Sequence, residues 1–248
     1  QDKLKKMNLF DFFSNQHKNK KKLLGVLLDP DKAPEGEQLK TFILNCEKAG
    51  VDIFLAGGSL ITKGNLDLLI QSMKQFTKLP VLIFPGDSSQ ISNEADGILL
   101  LSLISGRNPE YLIGQHVASA SRLKQSKLQI LPTGYLLIDS GTVTTAQYVS
   151  NTVPLPSEKP EIAANTALAG ELLGMKLIYM DAGSGAKRCI TEECIMAVRN
   201  TISIPLIVGG GINSIEKANA AWNAGADMVV VGTLFEKQPE AITLFSKR

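Results

Sequence analysis

Leu177-Ile178-Tyr179-Met180-Asp181-Ala182-Gly183-Ser184-Gly185-Ala186 is an apolar, strand-like run that breaks into a glycine turn where a helix should begin. Downstream, Val208-Gly209-Gly210-Gly211-Ile212 and Val231-Gly232-Thr233 repeat the arrangement. Three successive strand ends therefore present bare backbone N–H groups. Glycine lets an anion approach the main chain and helix N-termini favour negative charge, so the pattern predicts a cradle for a phosphorylated ligand.

Outward from that segment, short apolar, β-branched runs ending in turn residues predict strands at 23–28, 51–56, 81–84, 97–101, 129–132, 177–180, 205–208 and 228–231. Between them lie helical patterns at 37–49, 66–77, 109–121, 162–173, 191–200 and 214–224. Pro109 stands in a first turn, Ser214 is an N-cap, and Gly50, Gly174 and Gly225 act as stops. Continuous apolar strands alternating with helices require a parallel sheet covered by helices. Eight such units match a closed (β/α)8 barrel better than an open doubly wound sheet. The glycines of strands 7 and 8 then fall at the C-terminal face, where barrels commonly hold phosphate. One domain over residues 1–248 is expected, with 1–22 as a basic N-terminal helix or extension. The interval 139–159 is longer than a plain connection and is expected to cover the active face, a ligand-free surface excursion being the alternative.

The 248 residues carry 26 Lys and Arg against 24 Asp and Glu, and much of the excess of two is the cluster Lys3, Lys5, Lys6, Lys18, Lys20, Lys21 and Lys22. Basic character confined to one terminus gives nucleic-acid binding little support. Such a start reads first as a solvated helix face and second as peripheral attraction to anionic lipid headgroups. Cys46, Cys189 and Cys194 are odd in number, lack Cys-x-x-Cys spacing and sit in helix-like sequence, which fits buried thiols in a reducing cytosol. No apolar run approaches the roughly 20 residues of a bilayer span and no signal peptide precedes the first strand, so a soluble cytoplasmic protein is expected.

The first strand ends Leu28-Asp29-Pro30-Asp31-Lys32 and the second Ala56-Gly57-Gly58-Ser59. Asp29 terminates its strand and is the better ligand candidate, whereas Asp31 equally suits a turn cap. The Ser59 hydroxyl next to glycines is placed to share an ion with Asp29. Hard oxygen donors suit Mg2+, which takes one or two carboxylates plus substrate phosphates; an ion-free Asp-Pro-Asp turn reads equally well. His17 and His116 are the only histidines and neither lies at a predicted strand end, which argues against histidine-bound zinc, a Ser-His-Asp triad or a histidine base. Asp181, directly before the glycines, is placed to take a proton from a ligand hydroxyl, or else to cap the turn. Tyr179, two residues earlier, points the same way, either to bind a polyol or to fill a barrel layer. Lys187 and Arg188 read as anion helpers or as exposed helix-start charges.

Taken together these segments, with Pro132-Thr133-Gly134-Tyr135, are similar to those of the geranylgeranylglyceryl phosphate synthases, a (β/α)8 prenyltransferase family that includes bacterial heptaprenylglyceryl phosphate synthases. The similarity runs over nearly the whole chain. It implies transfer of a polyprenyl group, geranylgeranyl foremost, from its diphosphate to the sn-3 hydroxyl of sn-glycerol 1-phosphate, with an ether and diphosphate as products. It also implies that Asp29 and Ser59 bind magnesium and that Tyr179, Met180, Asp181, Ala182, Gly183, Ser184, Gly185, Gly209, Gly210, Gly211, Gly232 and Thr233 hold glycerol phosphate. Asp181 would be the base, no organic cofactor would be needed, and the protein would form homo-oligomers. One departure stands out: the family's Tyr-Leu-Glu reads Tyr-Met-Asp here, and the shorter side chain calls for a shifted substrate, a bridging water or an altered loop. An apolar groove lined by Leu, Ile and Val near strand ends 3 to 5 is expected for the isoprenoid. The competing readings are another phosphate-binding barrel, such as a sugar-phosphate isomerase or a thiamine phosphate synthase-like transferase, and a non-catalytic phosphate or lipid binder.

Overall fold

The computed structural model describes residues 7–247, so Lys3, Lys5 and Lys6 lie outside the described residues. Eight strands close into a barrel in sequence order: β1 (Leu23–Leu28), β2 (Ile53–Ala56), β3 (Val81–Ile83), β4 (Gly97–Ser102), β5 (Gln129–Leu137), β6 (Leu177–Asp181), β7 (Leu206–Gly209) and β8 (Met228–Val231). Every neighbouring pair is parallel, including the closing pair β1 and β8. Alternation along the strands makes two apolar layers. Leu23, Ile53, Leu55, Leu82, Leu99, Leu131, Leu177, Ile207 and Met228 fill the barrel interior. Leu24, Val26, Phe54, Ile98, Leu136, Met180, Val208 and Val229 face outward into the layer beneath the helices. Both faces of the sheet are thus dry, which is why the strands read as continuous apolar runs rather than alternating ones.

The helices are α1 (Leu9–Lys18), α2 (Gly36–Lys48), α3 (Leu66–Phe76), α4 (Gln115–Gln125), α5 (Thr145–Ser150), α6 (Pro160–Leu172), α7 (Glu192–Arg199), α8 (Ile215–Asn223) and α9 (Thr233–Lys237). A π-turn (Glu110–Gly114) leads into α4 and a 3-10 segment (Pro239–Lys247) ends the described chain. Side-chain caps set several starts: Asn8, Asn65, Thr144, Thr191 and Ser214 each accept from a backbone N–H in the first turn.

Helix α1 plugs the N-terminal end of the barrel. Leu9 and Phe13 are buried in the interior layer, each burial being favourable by about 1.5–3 kcal/mol. A side chain at Gly97 would put its Cβ 2.7 Å from Leu9 Cδ1, so glycine there makes room for the plug. His17 Nδ1 lies 2.8 Å from Asp227 Oδ1, while Asp227 Oδ2 accepts from Arg199 and from the Leu206 amide, tying the plug to β7 and β8.

Two features depart from the sequence reading, and a third accords with its helical patterns. Strand β5 does not stop at Pro132 but runs on to Leu137, because residues 133–137 pair in register with β6: Tyr135 lies beside Tyr179 and Leu137 beside Asp181. In accord with the helical patterns, which skip this interval, no helix follows β3; residues 84–96 run as turns and bends, braced where the Gln90 amide donates to the Gly58 carbonyl at 3.1 Å. The outward residues Ile98 and Leu100 of β4 consequently lack a helix on that side. Finally, Cys46 and Cys194 are buried in helices, but Cys189 sits half-buried in the loop before α7.

Candidate active site

The C-terminal ends of β1, β2, β6, β7 and β8 surround an open cup of about 720 Å³. Gly183 to Ala186, Gly210 to Asn213, and Gly232 with Thr233 form one side, and Asp29, Asp31, Lys32, Gly58 and Ser59 the other. Gly210 shows why glycine is required: its φ is +80°, and a Cβ there would lie 2.6 Å from Asp181 Oδ1 and from the Gly183 amide nitrogen. The main chain of β7 therefore comes as close to Asp181 as backbone can.

Asp181 is buried at the rim of β6, 7% exposed. Its Oδ2 accepts a 2.6 Å hydrogen bond from the Tyr135 hydroxyl and its Oδ1 a 2.7 Å bond from the Gly183 amide. Burial raises the Asp181 pKa above the usual carboxylate range; the Tyr135 and Gly183 hydrogen bonds offset part of that rise. The result is a carboxylate that is more basic than an exposed one yet held in one orientation, with lone pairs left for a further donor. Burial, reinforced by the Asp181 charge, pushes the Tyr135 and Tyr179 hydroxyls well above the usual tyrosine value, so both are neutral donors. The Tyr179 ring stacks on Phe84 with centroids 4.9 Å apart, and Tyr135 tilts against both.

Across the cup, Asp29 Oδ1 accepts from the Asp31 amide at 3.0 Å and Oδ2 lies 2.6 Å from Lys32 Nζ. Asp31 has a different role. Its carboxylate accepts from the amides of Thr62, Lys63 and Gly64 and from the Thr62 hydroxyl, pinning the β2 loop to the β1 loop. Those bonds, Gly64 foremost, hold its pKa far below the usual carboxylate value. Ser59 lines the cup beside Asp29, and a Cβ on neighbouring Gly58 would lie 3.3 Å from Asp29 Oδ1, so the β2 end sits directly over that carboxylate. An acid and a hydroxyl on adjacent strand ends, with a cation already resting on the acid, form a hard-oxygen donor set that fits a magnesium ion completed by diphosphate and water.

A second, narrow cleft of about 100 Å³ opens from the same rim and shares Gly58, Ser59 and Phe84 with the cup. It runs where the missing helix would lie, between residues 84–96 and α4, lined by Ile91, Ile98, Leu100, Leu103, Tyr111 and Leu123. Tyr135 lines the cleft and Asp181 the cup, so their hydrogen bond marks the junction of the two. His116, on α4, lines the cleft as well, within 3.1 Å of the Ser102 hydroxyl, and burial lowers its pKa. Residues 139–159 reach this region through Thr145, which lines the cup, and Ala146, Val149 and Ser150, which line the cleft.

The structure brings Asp29, Ser59, Tyr179, Asp181, Gly183, Ser184, Gly185, Gly210, Gly211, Gly232 and Thr233 together around the cup. Met180 and Ala182 point away from it, into the outer apolar layer, because they alternate with Tyr179 and Asp181. Gly209 sits behind Tyr179, where a Cβ would come within 2.4 Å of the Tyr179 hydroxyl. Arg188 turns outward to Asp139, 3.2 Å away. Among the residues around the cup that the sequence reading does not single out are Phe84, Glu236 and, at its junction with the cleft, Tyr135. Tyr135 has one signal in the sequence, the Pro132-Thr133-Gly134-Tyr135 motif, and Pro132 reads as the end of a strand rather than its middle.

The PcrB family model matches residues 16–247. A geranylgeranylglyceryl phosphate synthase of Spirosoma linguale is 52% identical over 222 residues, 90% of this chain and 89% of the relative. One from Thermococcus kodakarensis is 41% identical over 236 residues, 94% and 91% of the two chains. The crystal structure of (S)-3-O-geranylgeranylglyceryl phosphate synthase from Thermoplasma acidophilum in complex with substrate sn-glycerol-1-phosphate superposes with a TM-score of 0.89 at 34% identity, covering 97% of this chain and 98% of that one. A thiamine phosphate pyrophosphorylase from Pyrococcus furiosus, at 15% identity and a TM-score of 0.55, shares the fold alone.

Proposed function

The chain belongs to the PcrB family, and from that membership we propose that it is a geranylgeranylglyceryl phosphate synthase that joins the sn-3 hydroxyl of sn-glycerol 1-phosphate to C1 of geranylgeranyl diphosphate. The observation that carries this reading is the junction of a glycine-lined polar cup and an apolar cleft at the Asp181–Tyr135 pair. A sugar phosphate needs the cup alone, whereas a phosphorylated acceptor and an isoprenoid donor need both, meeting at one base.

The cup holds the phosphate of the acceptor against the backbone of Gly183 and Gly185, of Gly210 and Gly211, and of Gly232 and Thr233. That seat fixes the glycerol so that its free hydroxyl reaches Asp181. Asp181 accepts the hydroxyl proton as the oxygen attacks C1; the new C–O bond forms while the bond from C1 to diphosphate breaks and diphosphate carries off its electron pair. Tyr135 holds the base in place throughout, and Phe84 and Tyr179 offer aromatic faces to positive charge developing at the allylic carbon. Asp29 and Ser59 would hold magnesium, which when bound neutralises charge growing on the leaving group. The cleft excludes water from the isoprenoid along Ile98, Leu100 and Leu103.

The absent methylene at Asp181, relative to the glutamate of the resembled family, is matched by the close approach of Gly210 and by the Tyr135 bond, which set the carboxylate at the edge of the cup. Among the described residues no helix is long and apolar enough to cross a membrane. Assembly into homo-oligomers belongs to the same proposal, with Leu172 and Leu173, exposed side by side at the end of α6, as an apolar pair that a second copy would cover.

The test is incubation with magnesium, labelled sn-glycerol 1-phosphate and geranylgeranyl diphosphate, followed by extraction into organic solvent. Label in the organic phase, reduced about 10² to 10⁴-fold in rate with Asp181→Asn, is the expected result. Binding of both substrates without any extractable product would refute the assignment in favour of a non-catalytic binder.

A further inference from the structure

We propose that Lys32 is a built-in stand-in for the metal: its ammonium holds the Asp29 carboxylate until a metal with diphosphate displaces it, and Glu236 is the second seat that then receives it. The inference rests on the reading of Asp29 as the metal ligand. Lys32 Nζ lies 2.6 Å from Asp29 Oδ2 and 3.6 Å from Glu236 Oε2. The two carboxylates come from opposite ends of the chain, one from the β1 end and one from α9, and are brought together only because β1 and β8 close the barrel. Their side chains are 14% and 12% exposed, while that of Lys32 is 49% exposed. Two carboxylates mostly withdrawn from water are thus shared by one ammonium that stands at the mouth of the cup.

A divalent ion on Asp29 Oδ2 would sit about 2.0–2.1 Å from that oxygen, where it competes with the ammonium already 2.6 Å away, two like charges meeting on one oxygen. The other oxygen, Oδ1, is already committed to the Asp31 amide. A metal entering alone therefore weakens the Lys32 ion pair through like-charge repulsion. Glu236 lines the same cup, so a small swing moves the ammonium from one acid to the other without carrying it into solvent. There it faces the space between Asp29, Ser59 and Lys237, where a diphosphate on the metal adds negative charge. Bare metal weakens the Lys32 contact, whereas metal with diphosphate replaces it. The two ligands are thereby coupled, and by linkage each raises the affinity for the other by the same factor.

The experiment is a titration of the protein with Mn2+ as a paramagnetic probe, with and without inorganic diphosphate, for the native chain, Lys32→Met, Glu236→Gln and Asp29→Asn. Removal of a partly exposed ion pair should let Lys32→Met bind bare Mn2+ about fivefold more tightly and shrink the gain in metal affinity that diphosphate gives the native chain. Glu236→Gln should bind bare Mn2+ more weakly than the native chain, because the ammonium then has only Asp29. Bare-metal affinity unchanged or reduced in Lys32→Met, with binding lost in Asp29→Asn, would overturn the stand-in and leave the metal seat intact. Native affinity in Asp29→Asn would remove the metal seat itself and the stand-in with it.

Discussion

Replacing Tyr135 by Phe removes one oxygen from the centre of the site and leaves the ring that packs 6.0 Å from Phe84 and 5.8 Å from Tyr179. The lost bond runs from a neutral hydroxyl to a buried carboxylate at 2.6 Å, and hydrogen bonds to charged groups are favourable by about 1.5–3 kcal/mol net. That bond favours the ionised form of Asp181 over the protonated one. Its loss adds to the effect of burial, which already raises the Asp181 pKa. If Asp181 is the base, activity rises with pH as it deprotonates. The acid limb of the kcat/KM profile should therefore move to higher pH by about 1 to 2 pH units in Tyr135→Phe, with less change on the plateau. Stability has the opposite sense. A carboxyl whose folded pKa lies above its unfolded value contributes stability at low pH that is lost as pH rises through the folded value. The variant should lie nearest the native protein in chemical denaturation where Asp181 is protonated and fall furthest behind it, by about 1.5–3 kcal/mol, where Asp181 is ionised. An acid limb that stays in place or moves down would refute the assignment of Asp181 as the titrating base supported by Tyr135.

Asp181→Asn should lower kcat by about 10² to 10⁴-fold while raising the thermal midpoint at neutral pH, since a buried charge disappears from a desolvated position; circular dichroism melts at two pH values would check the second half. Leu100→Asn should raise KM for geranylgeranyl diphosphate by about 10- to 100-fold, the loss expected for about 1.5–3 kcal/mol of apolar contact, and leave sn-glycerol 1-phosphate affinity near native in calorimetry. Asp31→Asn should flatten the acid side of the stability profile. The Gly64, Lys63 and Thr62 amides depress the Asp31 pKa, so its contribution is present above the ordinary carboxylate value and lost as pH falls towards the depressed one; urea melts between about pH 7 and about pH 3 would show it.

Some of the site was legible because it depends on local backbone demands. Gly183, Gly210 and Gly211 adopt positive φ at strand ends, and a glycine next to an apolar run announces such a turn wherever the rest of the chain goes. Asp29 and Asp181 could be placed at one rim for a similar reason: each ends a strand, and in a parallel barrel all strand C-termini lie at the same face. Asp31 was ambiguous for want of its partners, since Thr62, Lys63 and Gly64 belong to another loop.

The sequence by itself determined the barrel, the order of its strands and the glycines that line the cup at one end of it, because periodicity and turn chemistry act over a few residues. Only the tertiary structure decided how β5 continues past Pro132 to bring Tyr135 against Asp181, how the want of a helix after β3 leaves Ile98 and Leu100 to line a cleft, and how closure of β8 on β1 sets Glu236 beside Lys32. Each of those depends on which distant backbone comes to lie alongside, and that follows from closing and packing the whole barrel rather than from the preferences of any one segment.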